Sequence, residues 1–186
     1  MILFALTRLK TVFWTLFYRS VGRSGFAQMG SRCYFEGWID MPRHGGRIML
    51  GDGVRIGPLT ELSVLEGAEL FIGDDSFVGR GVLINVARAV TVGKGVLIAE
   101  YCAIHDNDHV FAAPESAIAD QGWTARPVSV GDDVWIGGHS MLVSGARVPD
   151  GCVIGAMSLV TRSTQIEPYA IVVGSPGRPI GSRQQS

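Results

Sequence analysis

The chain has 186 residues, 47% of them hydrophobic and 18% charged, with a formal net charge of −1. One domain with an appendage is the prior at this length, and the charge balance excludes both a disordered chain and a strongly basic nucleic-acid binder. Three cysteines (Cys33, Cys102, Cys152) without a C-x-x-C pair make no disulfide framework and fit a reducing, cytoplasmic setting.

Residues 1–47 form a basic, apolar extension: Arg8, Lys10, Arg19, Arg23, Arg32, Arg43 and Arg47 stand against Glu36 and Asp40. Such asymmetry suggests an anionic partner or surface at one end. Residues 1–20 read as an amphipathic helix. Ile2, Leu6, Leu9, Phe13, Leu16 and Phe17 share one face, and Arg8, Thr11, Thr15 and Arg19 the other. Two readings of it stay open. It packs on or caps the rest of the chain, or it lies on the inner membrane face as an interfacial helix. No stretch reaches the roughly 20 apolar residues of a spanning helix, and charges inside the first apolar run are not those of a signal peptide. A connector from Gly22 to Gly30 follows. Residues 31–49 read as an irregular first coil, with Cys33, Phe35 and Ile39 apolar but out of phase.

From Leu50 onward the chain repeats every six residues. Leu, Ile or Val recurs at 50, 56, 62; 72, 78, 84; 92, 98, 104; and 130, 136, 142, 148, 154, 160. Glycine often follows the leader, and four residues after it stands a small or β-branched side chain such as Val54, Thr60, Ser76, Cys102, Ser140 or Cys152. A period of six matches neither a helix nor a long strand. It matches short strands joined by tight corners, three to a triangular coil, with coils stacked at about 4.8 Å. This is a hexapeptide β-helix, a quasi-one-dimensional solenoid. Leaders group as 50–67, 72–89, 92–109, 130–147 and 148–165, giving about five coils over residues 48–165 and a tail over 166–186. One long insertion interrupts them at 110–129, where a loop in a compact repeat is usually functional.

Three features now resemble a known family: the repeat, the stretch RPVSVGDDVWIGGH at 126–139, and the ending VGSPGRPI at 173–180. Together they are similar to the hexapeptide-repeat acyltransferases, within them the sugar O-acetyltransferases. The resemblance spans roughly 48–181. It implies a left-handed all-β parallel β-helix, a homotrimer with sites shared between subunits, acetyl-CoA as cosubstrate, no metal and no nucleic acid. It places the family's catalytic histidine at His109, the last residue before the loop, while His105 does not match. It places acetyl-CoA contacts at Gly138, Ala156, Thr161 and Arg162, with Trp135 at the usual aromatic position beside them; Arg178 and Arg183 are further phosphate candidates. The chemistry then needs one general base: a neutral imidazole, with an ordinary pKa near about 6.5, takes the proton of an attacking alcohol. Asp106 and Asp108 are the carboxylates that would orient His109, or else shape the turn. Cys102 and Cys152 fall at inward positions, so direct transfer in a ternary complex is expected. Galactoside and maltose enzymes carry an Ala-Asn-Phe-Asn acceptor stretch where this chain has Val78-Gly79-Arg80-Gly81. That departure points to the branch acting on cell-surface polysaccharides, with sugar, glycan or lipid-linked acceptors.

Two other classes fit a solenoid. One is a zinc enzyme of the γ-carbonic-anhydrase kind, for which His105, His109 and His139 are the candidate ligands, at spacings foreign to that family. The other is a non-catalytic structural solenoid, against which a histidine at the loop root argues.

Overall fold

The computed structural model describes residues 2–20, 25–42 and 45–185. Arg23, Arg43 and the first part of the connector lie outside them. The six-residue pattern folds as expected, into three flat parallel sheets that share one interior. Sheet A contains Gln28–Met29, Arg47–Leu50, Glu69–Ile72, Ala89–Val92, Val128–Val130 and Arg147–Val148. Sheet B contains Tyr34–Phe35, Arg55–Ile56, Phe77–Val78, Leu97–Ile98, Trp135–Ile136, Val153–Ile154 and Ala170–Val173 in parallel, with Arg178–Ser182 added antiparallel. Sheet C contains Glu61–Val64, Leu83–Val86, Ala103–His105, Met141–Leu142 and Leu159–Val160. The chain winds A, B, C five times over, as the left-handed parallel β-helix does.

Every aliphatic leader from Leu50 to Val160 is at most 2% exposed, as are Val54, Thr60, Ser76, Cys102, Ser140 and Cys152 between them. Leaders stack on leaders: Ile56 opposes Val78, Val78 opposes Ile98, and Ile98 opposes Ile136. Polar positions are satisfied by the same stacking. Ser76 donates to the Gly93 carbonyl at 2.9 Å and accepts from the Val96 amide at 3.0 Å. On the corner between sheets A and B, aspartates clamp the coil before them. Asp74 accepts the Asp52 amide, Asp132 the Lys94 amide and Asp150 the Asp132 amide, at 2.7–2.9 Å. All three cysteines are free and buried, and burial pushes each thiol's pKa up. Such thiols are inert.

Two expectations at the first end need correction. Residues 28–40 are not out of phase. Met29 and Phe35 are leaders opposite Leu50 and Ile56, and Cys33 and Ile39 are their buried followers, four residues on. The repeat continues there with Met and Phe where the later coils use Leu, Ile and Val. The parallel pairing therefore runs from residue 28 to residue 172.

The second correction concerns the helix, α1 (Ile2–Ser20). It caps the solenoid, but with the opposite face. Leu9, Phe13 and Leu16 point to solvent, whereas Trp14, Thr15 and Tyr18 pack on the first coil. An open solenoid end presents strand edges whose backbone groups need partners. The Phe35 amide donates to Thr15 Oγ1 at 3.1 Å, the Ile39 amide donates to the Tyr18 hydroxyl at 2.8 Å, and that hydroxyl donates to the Ile39 carbonyl at 3.2 Å. The Tyr18 ring packs 4.8 Å from Phe35, and Trp14 lies 5.9 Å from Trp38. Nothing is described of the side chains of residues 2–8, so Ile2, Leu6 and Arg8 are not assigned a face.

Candidate active site

The chain leaves the stack at Asp106 on the corner between sheets C and A. It forms an antiparallel hairpin, Asn107–His109 against Trp123–Ala125, and re-enters at Arg126. The Arg126 amide donates to the Asp106 carbonyl at 2.8 Å and the Val110 amide to the Gly122 carbonyl at 3.0 Å, closing both ends of the hairpin. Gln121 ties the tip together, bonding both backbone groups of Ala113 and the Ser116 carbonyl. The insertion is thus an ordered arm. It carries His109 opposite Trp123 and exposes Phe111, Ile118 and Trp123.

His109 is exposed on this arm, and among the described residues its imidazole has no hydrogen-bond partner. The carboxylates expected to orient it do other work. Asp106 is wholly buried, and its oxygens accept the amides of Ala87, Arg88 and Ala89 at 2.7 Å each. It is the corner clamp of the preceding coil. Asp108 sits between Asn107 and His109 in a strand, where alternation turns it to the opposite side from His109. His105 is half-buried in the strand Ala103–His105 rather than at a corner. Burial holds its pKa down, against the opposing pull of Asp106, Asp108 and Glu61.

One residue that sequence reading missed belongs to this neighbourhood. Asn85 stands opposite His105 in the neighbouring strand, and the Asn107 amide donates to its Oδ1 at 3.3 Å. Asn107 shares the His109 side of the hairpin by the same alternation. The signal for Asn85 was its register, one coil before His105.

Along the same corner runs an open groove of about 820 Å³, lined by Arg126, Arg147, Arg162, Ser129, Thr164 and Gln165 among others. No acidic side chain lines it, and among the described residues none of its arginines is in an ion pair. Gly145, at φ +79, lies between two of them. A Cβ there would stand 3.1 Å from Arg162 Cβ and 3.5 Å from Arg126 Cβ. Thr161 forms a closed hydroxyl turn with Ser163 and Thr164 beside it.

The remaining expected contacts are elsewhere in the coil. Trp135 is exposed on sheet B between Leu97 and Val153. Gly138 and Ala156 stack on the corner between sheets B and C, where a Cβ on Gly138 would come within 3.3 Å only of the Glu100 carbonyl. The two corners are separated by a sheet C strand, so an extended stretch such as 139–144 sets them up to about 20 Å apart. His139 is on the far corner too, stacked 5.3 Å from Tyr101, so one chain does not gather His105, His109 and His139. Among the described residues no group of three or more His, Cys, Asp or Glu is placed to hold a metal. Arg178 is exposed on the last strand. Arg183 is committed to structure, bonding Asp133 at 3.0 Å and the Gly151 carbonyl at 2.9 Å.

No family model matches the chain. Over 157 residues it is 34% identical to a probable acetyltransferase of Mycobacterium tuberculosis, covering 76% of this chain and 52% of that protein. It is 30% identical over 114 residues to the galactoside O-acetyltransferase of Escherichia coli K12, covering 61% and 54%. The chain spans about half the length of these curated relatives. Among solved structures, an N-acyltransferase of Bacillus cereus in complex with dTDP and coenzyme A superposes with a TM-score of 0.74, covering 90% of each chain at 19% identity. That likeness is one of fold.

Proposed function

The chain belongs to the hexapeptide-repeat acetyltransferase family, and we propose that it transfers an acetyl group from acetyl-CoA to a hydroxyl of a sugar or of a cell-surface polysaccharide precursor. The observation that carries this reading is His109, held out on an ordered arm that re-enters the stack at Arg126, which lines the arginine-rich groove. Its neutral imidazole takes the acceptor's hydroxyl proton as the oxygen attacks the thioester carbonyl. The tetrahedral intermediate collapses, the carbon–sulfur bond breaks, and the imidazolium returns the proton to the departing CoA thiolate. Arg162, with Arg126 and Arg147 beside it, meets phosphates of the donor. Asn85 and Asn107 offer hydrogen bonds to a polar acceptor.

The split of the site supports a homotrimer. His109 and Arg162 lie on one corner, and Trp135, Gly138 and Ala156 lie on or beside another. A neighbouring subunit that brings its second corner to the first corner of this one completes the cleft. The exposed apolar side chains of Leu59, Leu97, Tyr101, Met141 and Met157 on and around sheets B and C favour such packing.

Single-turnover transfer from acetyl-CoA to a panel of sugars and lipid-linked glycans, read by mass, tests the activity. His109→Ala should lower it by at least about a hundredfold with acetyl-CoA binding retained; full activity in that variant sinks the mechanism. Co-expressing His109→Ala with Gly138→Phe tests the shared site. Mixed trimers should recover activity that neither variant shows alone, and no recovery means a site within one chain.

A further inference from the structure

The outward face of α1 is the largest unexplained feature of the molecule. Leu9, Val12, Phe13 and Leu16 recur there at helical spacing and are 58–71% exposed. Lys10 and Arg19 are exposed on the same helix, and Trp38 of the first coil is exposed beside Trp14. Capping the solenoid does not account for this row, because the cap is made by the other face through Trp14, Thr15 and Tyr18. An apolar row of this size normally marks an interaction site.

Charge decides what covers it. Residues 1–35 contain Arg8, Lys10, Arg19, Arg23 and Arg32 and no Asp or Glu. The first acidic residue, Glu36, is already paired with Arg55 at 3.0 Å. A second copy of this helix would bring like charges together. A layer of anionic lipid headgroups over hydrocarbon complements both the basic residues and the apolar row, and exposed tryptophan favours that boundary. The helix is not one that crosses: among the described residues no helix is long and apolar enough to do so.

We propose that α1 lies in the headgroup layer of an anionic membrane with Leu9, Val12, Phe13 and Leu16 turned into the lipid. The rest of the helix then holds the solenoid with its first coil against the membrane. In a three-fold assembly of parallel solenoids the three helices would share one plane, and their weak individual contacts would act together. The inference does not depend on the chemistry proposed for His109.

The experiment is flotation of the full chain with vesicles of phosphatidylcholine alone or mixed with phosphatidylglycerol, alongside sedimentation velocity without lipid. The protein should float with the anionic vesicles and be released as salt rises. The triple variant Leu9→Ser, Phe13→Ser, Leu16→Ser should bind them at least about tenfold more weakly, since both a charged and an apolar signal are needed for stable attachment. Lys10→Glu with Arg19→Glu keeps the apolar row and should lose the preference for anionic vesicles. Failure of the wild type to float, or flotation indifferent to both sets of changes, overturns the proposal. So does a triple variant whose only change is a smaller assembly, which would make this face a contact between copies.

Discussion

Two rows of apolar side chains run through this molecule at equally regular spacing. In sheet B, Ile56, Val78, Ile98, Ile136, Ile154 and Val172 stack without any exposure. On α1, Leu9, Val12, Phe13 and Leu16 stand in solvent. What differs is the neighbour. Inside the stack each coil is covered by the next, which offers a like side chain and a full set of backbone partners at once. At the first coil there is no next coil. The helix that replaces it must first supply hydrogen bonds to Phe35 and Ile39, and the face that carries Thr15 and Tyr18 does so. Once a helix covers that strand edge, each amide left buried and unpaired costs about 1–3 kcal/mol, which is enough to turn a helix away from its more apolar side.

The largest effect should come where the stack itself depends on a polar clamp. Asp106→Ala removes a wholly buried carboxylate that accepts three part-buried amides, so urea unfolding should show a loss upward of about 3 kcal/mol. A variant that loses turnover with its stability intact would return Asp106 to the role of orienting His109. Next, Ile98→Ala leaves a cavity between Val78 and Ile136 and should cost about 2–5 kcal/mol. A cost below about 1 kcal/mol would mean that coils collapse onto the gap, and the contrast with α1 would weaken.

The interior was legible because one period governs it. A leader every six residues names its own face, and the register between coils follows from counting. The insertion was legible from the same count, but its bounds were not: the chain leaves the stack at Asp106 and not after His109, so the expected loop 110–129 is an arm over 107–125. Counting failed where chemistry changed while geometry did not: Met29 and Phe35 are leaders that a search for Leu, Ile and Val passes over. It failed at Asp106, because no sequence pattern says whether a carboxylate at a corner points along the hairpin or into the coil before it. The helical wheel of α1 separated its two faces only in part, since Phe17 of the expected apolar face packs on the core and Arg19 of the other is exposed, and the amides of the first coil bear on which face docks. That the proposed contacts fall on two corners needed the coil in three dimensions, since Trp135, Gly138 and Ala156 lie near Arg162 in sequence and away from it around the triangle.

The cap offers a sharper test of the contrast. Tyr18→Phe keeps the ring against Phe35 and removes the hydroxyl that serves both backbone groups of Ile39. The loss in unfolding free energy should be about 1–3 kcal/mol, and amide exchange at Ile39 should quicken while exchange at Ile98 does not. If Tyr18→Phe is neutral, hydrogen bonding is not what selects the docked face.

The smallest effect should be at the outward row. Leu16→Ala removes a side chain of the same type as the interior leaders, from a helix position with helix propensity nearly equal to alanine's. Leu16 is 60% exposed, so little contact is lost in the isolated protein. The change in stability measured without lipid should therefore stay within about 0.5 kcal/mol, the range of an ordinary surface substitution. Leu62→Ala, at an interior leader that is wholly buried, provides the matched control, and it should fall in the range of about 2–5 kcal/mol for large-to-small core changes. The same chemical deletion then reads out two different environments. A cost for Leu16→Ala that approaches the Leu62→Ala value in dilute, lipid-free solution would mean that the row is already covered by protein. The helix would then be buried like the coils beneath it, and the distinction between the two rows would disappear.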